Sequence, residues 1–82
     1  MLKVSVISPE AVLFEGETDS VVASAYDGEV GILSGHAPLM ALLGDGQLRI
    51  GAGAGRRFNV SGGFMQVLDN KVRVVTEKAS AA

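Results

Sequence analysis

Ser34 and His36 stand two residues apart in Gly31-Ile32-Leu33-Ser34-Gly35-His36. A hydroxyl beside an imidazole is the raw material of nucleophilic catalysis. The spacing is G-x-x-S-G rather than the G-x-S-x-G of a nucleophile elbow, and no strand-to-helix turn follows to present the hydroxyl. His36 is the only histidine and cysteine is absent, so a metal site would need carboxylates. The acids are scattered singly, not spaced as ligands on one face. Paired-carboxylate hydrolysis needs two acids facing across a cleft, and so short a chain has little room for one. No catalytic residue, cofactor or metal is expected.

Three other groupings could carry chemistry. Arg56, Arg57 and Phe58 resemble a basic-plus-aromatic nucleic-acid surface, but alternation sends Arg57 outward and Phe58 inward, so the ring is core rather than a stacking platform. No nucleic-acid partner is expected. The Gly51–Gly55 stretch sits between strands with no helix after it, so it is a turn and not a phosphate cradle. Lys71 follows Asp69-Asn70 at a hairpin. Lipoyl and biotinyl carrier domains are all-β, about this long, and present a modifiable lysine on a hairpin. Their lysine sits at the tip itself, whereas Lys71 follows a two-residue turn suited to a plain hairpin. The swinging-arm carrier stands as the alternative reading. A third class, a small Ser34–His36 hydrolase, has only the weak spacing above in its favour.

The segment Asp27 to Met40 holds an acid, a hydroxyl and an imidazole between glycines at 28, 31 and 35. Pro38 breaks any helix there and biases Ala37 toward extended geometry. This is an elaborate corner for a small protein, and loops on rigid scaffolds commonly carry function.

The elements that position these residues repeat with period two. Val4 and Val6, Val12 and Phe14, Leu48 and Ile50, Phe58 and Val60, and Val72 and Val74 each alternate with residues assigned to the opposite face, most of them polar. That pattern marks strands with one face in a core. Turn signals fall at Ser8-Pro9-Glu10, Asp27-Gly28, Gly44-Asp45-Gly46, Gly53-Ala54-Gly55, Gly62-Gly63 and Asp69-Asn70. The reading is strands near 2–8, 11–17, 19–26, 28–33, 46–52, 55–61, 63–68 and 71–77, with 37–43 either a short strand or a helical turn. The expected fold is all-β, an antiparallel β-sandwich of about 8–10 short strands in two sheets. Residues 1–78 form the sandwich and 79–82 a short tail that could begin a helix.

Eighty-two residues make one domain, with 48% hydrophobic and 20% charged positions. Net charge is −2, which disfavours general nucleic-acid binding. The charge is segregated. Glu10, Glu15, Glu17, Asp19, Asp27, Glu29 and Asp45 fall in a stretch without Lys or Arg, and Arg49, Arg56, Arg57, Lys71, Arg73 and Lys78 follow it. Such a chain can steer partners, unless the two halves interleave once folded. No apolar run reaches the ~18 residues of a membrane helix, and the alternating start lacks a signal peptide's apolar stretch.

The stretch Gly28-Glu29-Val30-Gly31-Ile32-Leu33-Ser34-Gly35-His36-Ala37-Pro38-Leu39 resembles the signature of the ε subunit of F-type ATP synthases, called δ in mitochondria. The likeness continues through Val6-Ile7-Ser8-Pro9-Glu10, Leu13-Phe14-Glu15-Gly16, the Leu43–Ile50 strand, Phe58-Asn59-Val60-Ser61-Gly62-Gly63-Phe64 and Asn70-Lys71-Val72 with Val74. Ser34 stands where proline is usual, which predicts a less stiff loop. Family members usually carry a C-terminal helical pair. This chain ends at Ala82, so the resemblance implies the sandwich alone, about ten strands in two sheets, without the helical hairpin or its inhibitory and nucleotide-binding roles.

The resemblance implies a non-catalytic rotor subunit of the central stalk. It would couple the γ subunit to the polar loops of the membrane c-ring for proton-driven ATP synthesis. It would sit in the F1 sector on the cytoplasmic face of a bacterial inner membrane, peripheral and not inserted. Glu29 and His36, with the loop holding Ser34, match ring-facing positions. The family's ring loops are typically basic there, so Asp27 and Glu29, with no base nearby in sequence, would complement them. Ser8 matches a position beside γ. The γ interface should be apolar, with Met40, Leu42, Phe64 and Met65 as candidates.

Overall fold

Alternation in the sequence becomes a β-only fold. The computed structural model describes residues 1–25, 28–51 and 55–81. Among these the strands are β1 (Leu2–Ile7), β2 (Val12–Thr18), β3 (Ser20–Ala25), β4 (Gly28–Leu33), β5 (Leu39–Ile50), β6 (Arg56–Ser61), β7 (Phe64–Leu68), β8 (Lys71–Val75) and β9 (Lys78–Ala81). They form two layers. One runs β2-β1-β8-β7-β5 and the other β4-β3-β5-β6-β9. β5 belongs to both, so each layer has five strands when β5 is counted in each. Neighbours are antiparallel except β1 and β8, which pair parallel. That ladder is continued at its ends by Lys3 N–H donating to Asn70 O at 2.8 Å and Thr76 N–H to Ile7 O at 2.9 Å.

β5 explains two differences from the sequence reading. Residues 37–43 were ambiguous, and Gly44-Asp45-Gly46 reads as a turn. In the fold, Leu39–Ile50 is one twelve-residue strand. Leu39–Leu42 pairs with β7 in the first layer, and Gly46–Ile50 pairs with β6 in the second. The glycines mark the place where the strand leaves one layer for the other, a common use of glycine inside strands. The neighbouring β3 is irregular at Ser24. There Ser24 Oγ accepts from Gln47 N–H and donates to Gln47 O, both at 3.3 Å, replacing lost ladder bonds.

β2 supplies a third difference. Period two puts Val12 and Phe14 on one face. The register shifts at Ile7, which pairs with Val12 while Val6 pairs with Phe14. The bulge at Leu13 turns Val12 outward, where it is 57% exposed, and leaves Phe14 packed on the core. Residues 78–81 are a fourth. They form β9 by pairing with Ser61–Phe58 rather than starting a helix.

The core is apolar throughout: Leu2, Val4, Val6, Val21, Ile32, Leu48, Ile50, Phe58, Val60, Met65, Val67, Val72 and Val74 are among its buried members. Two buried threonines sit where the chain changes layer. Thr18 Oγ1 donates to Ser20 O at 3.3 Å. Thr76 Oγ1 lies 2.9 Å from Lys78 O and 3.1 Å from Gly62 O, so its single proton is directed at the carbonyls of the two connections beside β8. Gly63 is fixed by contact. A Cβ there would collide with the Val75 carbonyl oxygen and the Thr76 backbone, and its φ of 102° excludes most other residues.

Folding sets two acids of the acid-rich stretch beside bases. Lys3 pairs across strands with Glu17, and Arg49 Nη2 meets Glu29 Oε2 at 3.1 Å.

Candidate functional site

β4 ends at Leu33 and β5 begins at Leu39, so residues 34–38 cross between layers without a ladder partner. The crossing starts with a tight turn in which His36 N–H donates to Leu33 O at 3.2 Å. Gly35 at φ 82° supplies the left-handed residue such a turn needs. Ser34 is exposed and His36 half-buried. His36 Nδ1 lies 2.7 Å from Ala37 O. A carbonyl can only accept, so Nδ1–H is the donor in this bond. Among the described residues Ser34 Oγ makes no hydrogen bond to His36, so the two do not form a nucleophile–base pair.

Glu29 lies near the other end of β4, on the outward face, opposite Ser24. Leu33 lies four residues further along the strand, about 13 Å at the usual rise. Ser34 and His36 are therefore brought together, while Glu29 stands apart from them along the same edge strand. The expectation that no base lies near Glu29 is overturned by Arg49, which the β3–β5 pairing carries beside it. Both side chains are substantially exposed, so the pair is worth only ~0–1 kcal/mol, but it offsets the charge of Glu29. Asp27 lies outside the described residues.

A second surface lies on the outward face of the first layer. Direct cross-strand partners share a face, and the registers run Leu42–Phe64, Phe64–Val75, Val75–Ile7 and Ile7–Val12. Five apolar side chains thus form one row across five strands. Leu42 is 67% and Val12 57% exposed. Phe64, Val75 and Ile7 are half-buried between them. The next row reads Met40, Gln66, Arg73, Ser5 and Glu15, and the one after it Leu68, Lys71, Lys3 and Glu17. The face grades from apolar at one end to charged at the other.

Of the candidates for an apolar contact, Leu42 and Phe64 lie in the row and Met40 is exposed beside it. Met65 does not belong. It is fully buried, because period two sends it to the face opposite Phe64. Ser8 follows Ile7 directly and closes a turn with Ala11, its N–H donating to Ala11 O at 2.9 Å, so it borders the row. Ile7, Val12 and Val75 were missed by sequence reasoning. The doublets Val6-Ile7 and Val74-Val75 were the signal, since two adjacent apolar residues in a strand must place one outward. Lys71 opens β8 opposite Leu68, on the strand and not on the hairpin tip, contrary to what the carrier reading needs.

The ATP synthase delta/epsilon chain β-sandwich domain family matches residues 1–82. The chain belongs to this family. An ATP synthase epsilon chain from Leptospira borgpetersenii is 49% identical over 77 residues, covering 93% of this chain and 61% of that one. One from Chlorobium limicola is 38% identical over 80 residues, covering 95% of this chain and 91% of that one. The chain spans about three fifths of the length of the Leptospira relative. A chain in the cryo-EM structure of the Euglena gracilis mitochondrial ATP synthase (OSCP/F1/c-ring) superposes with a TM-score of 0.87 over 98% of this chain and 52% of that chain. At 24% identity that likeness is one of fold. The family assignment, with the position of Lys71, sets the carrier alternative aside.

Proposed function

We propose that this domain is a non-catalytic rotor element of an F-type ATP synthase, joining the γ subunit to the c-ring in the central stalk. In a bacterial cell it would lie on the cytoplasmic face of the plasma membrane, held there peripherally by the complex. The observation that carries the reading is the apolar row Leu42–Phe64–Val75–Ile7–Val12 on a member of this family. An exposed apolar row across a rigid sheet is suited to a protein partner. The γ subunit is the proposed occupant, with Ser8 and Met40 at the rim. At the far end of the molecule Ser34 and His36, beside the exposed Leu33 and Leu68, would meet the polar loops of a ring. Glu29 would extend that contact along β4. Its already paired charge orients the contact more than it holds it.

The test is binding of the purified chain to γ. Leu42→Asp places a charge in the row at an exposed position, so the unfolding midpoint should stay put while γ affinity falls at least about tenfold. Unchanged affinity would remove the row from the interface.

A further inference from the structure

We propose that Asn70 is a positioning residue for the turn carrying Ser34 and His36. The inference rests on reading that turn as a ring contact. Asn70 is the second residue of the Asp69-Asn70 turn between β7 and β8, with φ of 50° and 61° at the two positions. This is the left-handed pair that a tight two-residue hairpin requires, and few residues other than Gly, Asn and Asp adopt it readily. The Asn70 main-chain carbonyl accepts Lys3 N–H at 2.8 Å, fastening the tip to the start of β1. Its side-chain Oδ1 accepts Gly35 N–H at 2.7 Å. Only the oxygen of a carboxamide can accept, so this bond also fixes which way the side chain faces.

The segment it reaches needs an external tie. The other two hydrogen bonds of the turn, His36 N–H to Leu33 O and His36 Nδ1–H to Ala37 O, are local. They shape the turn without attaching it to the first layer. Among the described residues the Asn70 carboxamide is the side chain that makes that attachment. The position therefore sets two demands, a left-handed backbone and a side-chain acceptor of the right length. Glycine meets the first alone. Aspartate meets both but adds a charge. Without the tie the turn samples more conformations, and apparent affinity falls with the fraction that is competent to bind.

The test uses the full chain with Asn70→Gly, Asn70→Asp and His36→Ala. Hydrogen exchange of the Gly35 amide, followed by NMR, reads the tie. Affinity for purified c-ring in detergent reads its consequence. In Asn70→Gly the Gly35 amide should exchange about tenfold faster and ring affinity should drop about three- to tenfold, with the Val4 and Val72 amides unchanged. Asn70→Asp should restore both readings. Unchanged Gly35 exchange in Asn70→Gly overturns the proposal. Faster exchange with undiminished ring affinity, while His36→Ala weakens binding, also overturns it but leaves the ring contact standing. Undiminished ring affinity in both variants overturns the ring contact and the positioning role together.

Discussion

Arg56 shows how a single residue closes this small core. Its guanidinium lies 5.6 Å from the Phe14 ring centroid and 5.5 Å from that of Phe58. The two rings meet edge to face at 6.5 Å. Phe14 comes from β2 in one layer and Phe58 from β6 in the other, so the arginine spans both layers. Phe58 was legible as an inward ring from alternation, and Arg57 as outward. The role of Arg56 was not, because the two rings that it covers are far apart in sequence and only the closing of the layers brings them together. Arg56→Ala should lower stability by about 1 kcal/mol in urea unfolding, and Arg56→Lys by less. The same loss in both variants would place the effect in the planar guanidinium itself rather than in a cation on an aliphatic stem.

Strands were the most legible feature, because period two survives wherever pairing is regular. β1, β4, β6, β7 and β8 fall close to their expected bounds. Sequence failed where a strand departs from regularity. The bulge at Leu13 reverses the face of Val12, and the glycines at 44 and 46 bend β5 instead of ending it. Both departures are responses to long-range pairing, which a local pattern does not encode. Gly63 is the element-scale test of how tightly the layers are joined. Gly63→Ala drives a methyl into the Val75 carbonyl at a left-handed backbone position, and should cost more than about 2 kcal/mol. A near-neutral result in thermal unfolding would mean that the β6–β7 connection can move away from β8.

The whole molecule is a close-packed body measuring 28 × 25 × 22 Å, and its outer surface differs from end to end. The apolar row lies toward one end of the first layer. The charged row lies toward the end that holds Asn70 and the turn it ties down. A close-packed core transmits displacement from one end to the other with little compliance, which a coupling element requires. The candidate site was half legible. The Gly28–Leu39 stretch pointed to the turn proposed here as a ring contact, from its residues and its likeness to the family. The apolar row was hidden, since its members come from five strands and are neighbours only through register. Net charge segregation along the chain proved a weak guide, because the fold sets Lys3 against Glu17 and Arg49 against Glu29.

Mechanical coupling by this domain would be read as ATP synthesis in liposomes. Vesicles carrying the ring, γ and the remaining synthase subunits would be given an imposed proton gradient with and without this chain. Adding the chain should restore gradient-driven synthesis, and the Leu42→Asp variant should fail to do so. Synthesis that runs equally well without the chain would rule out a coupling role.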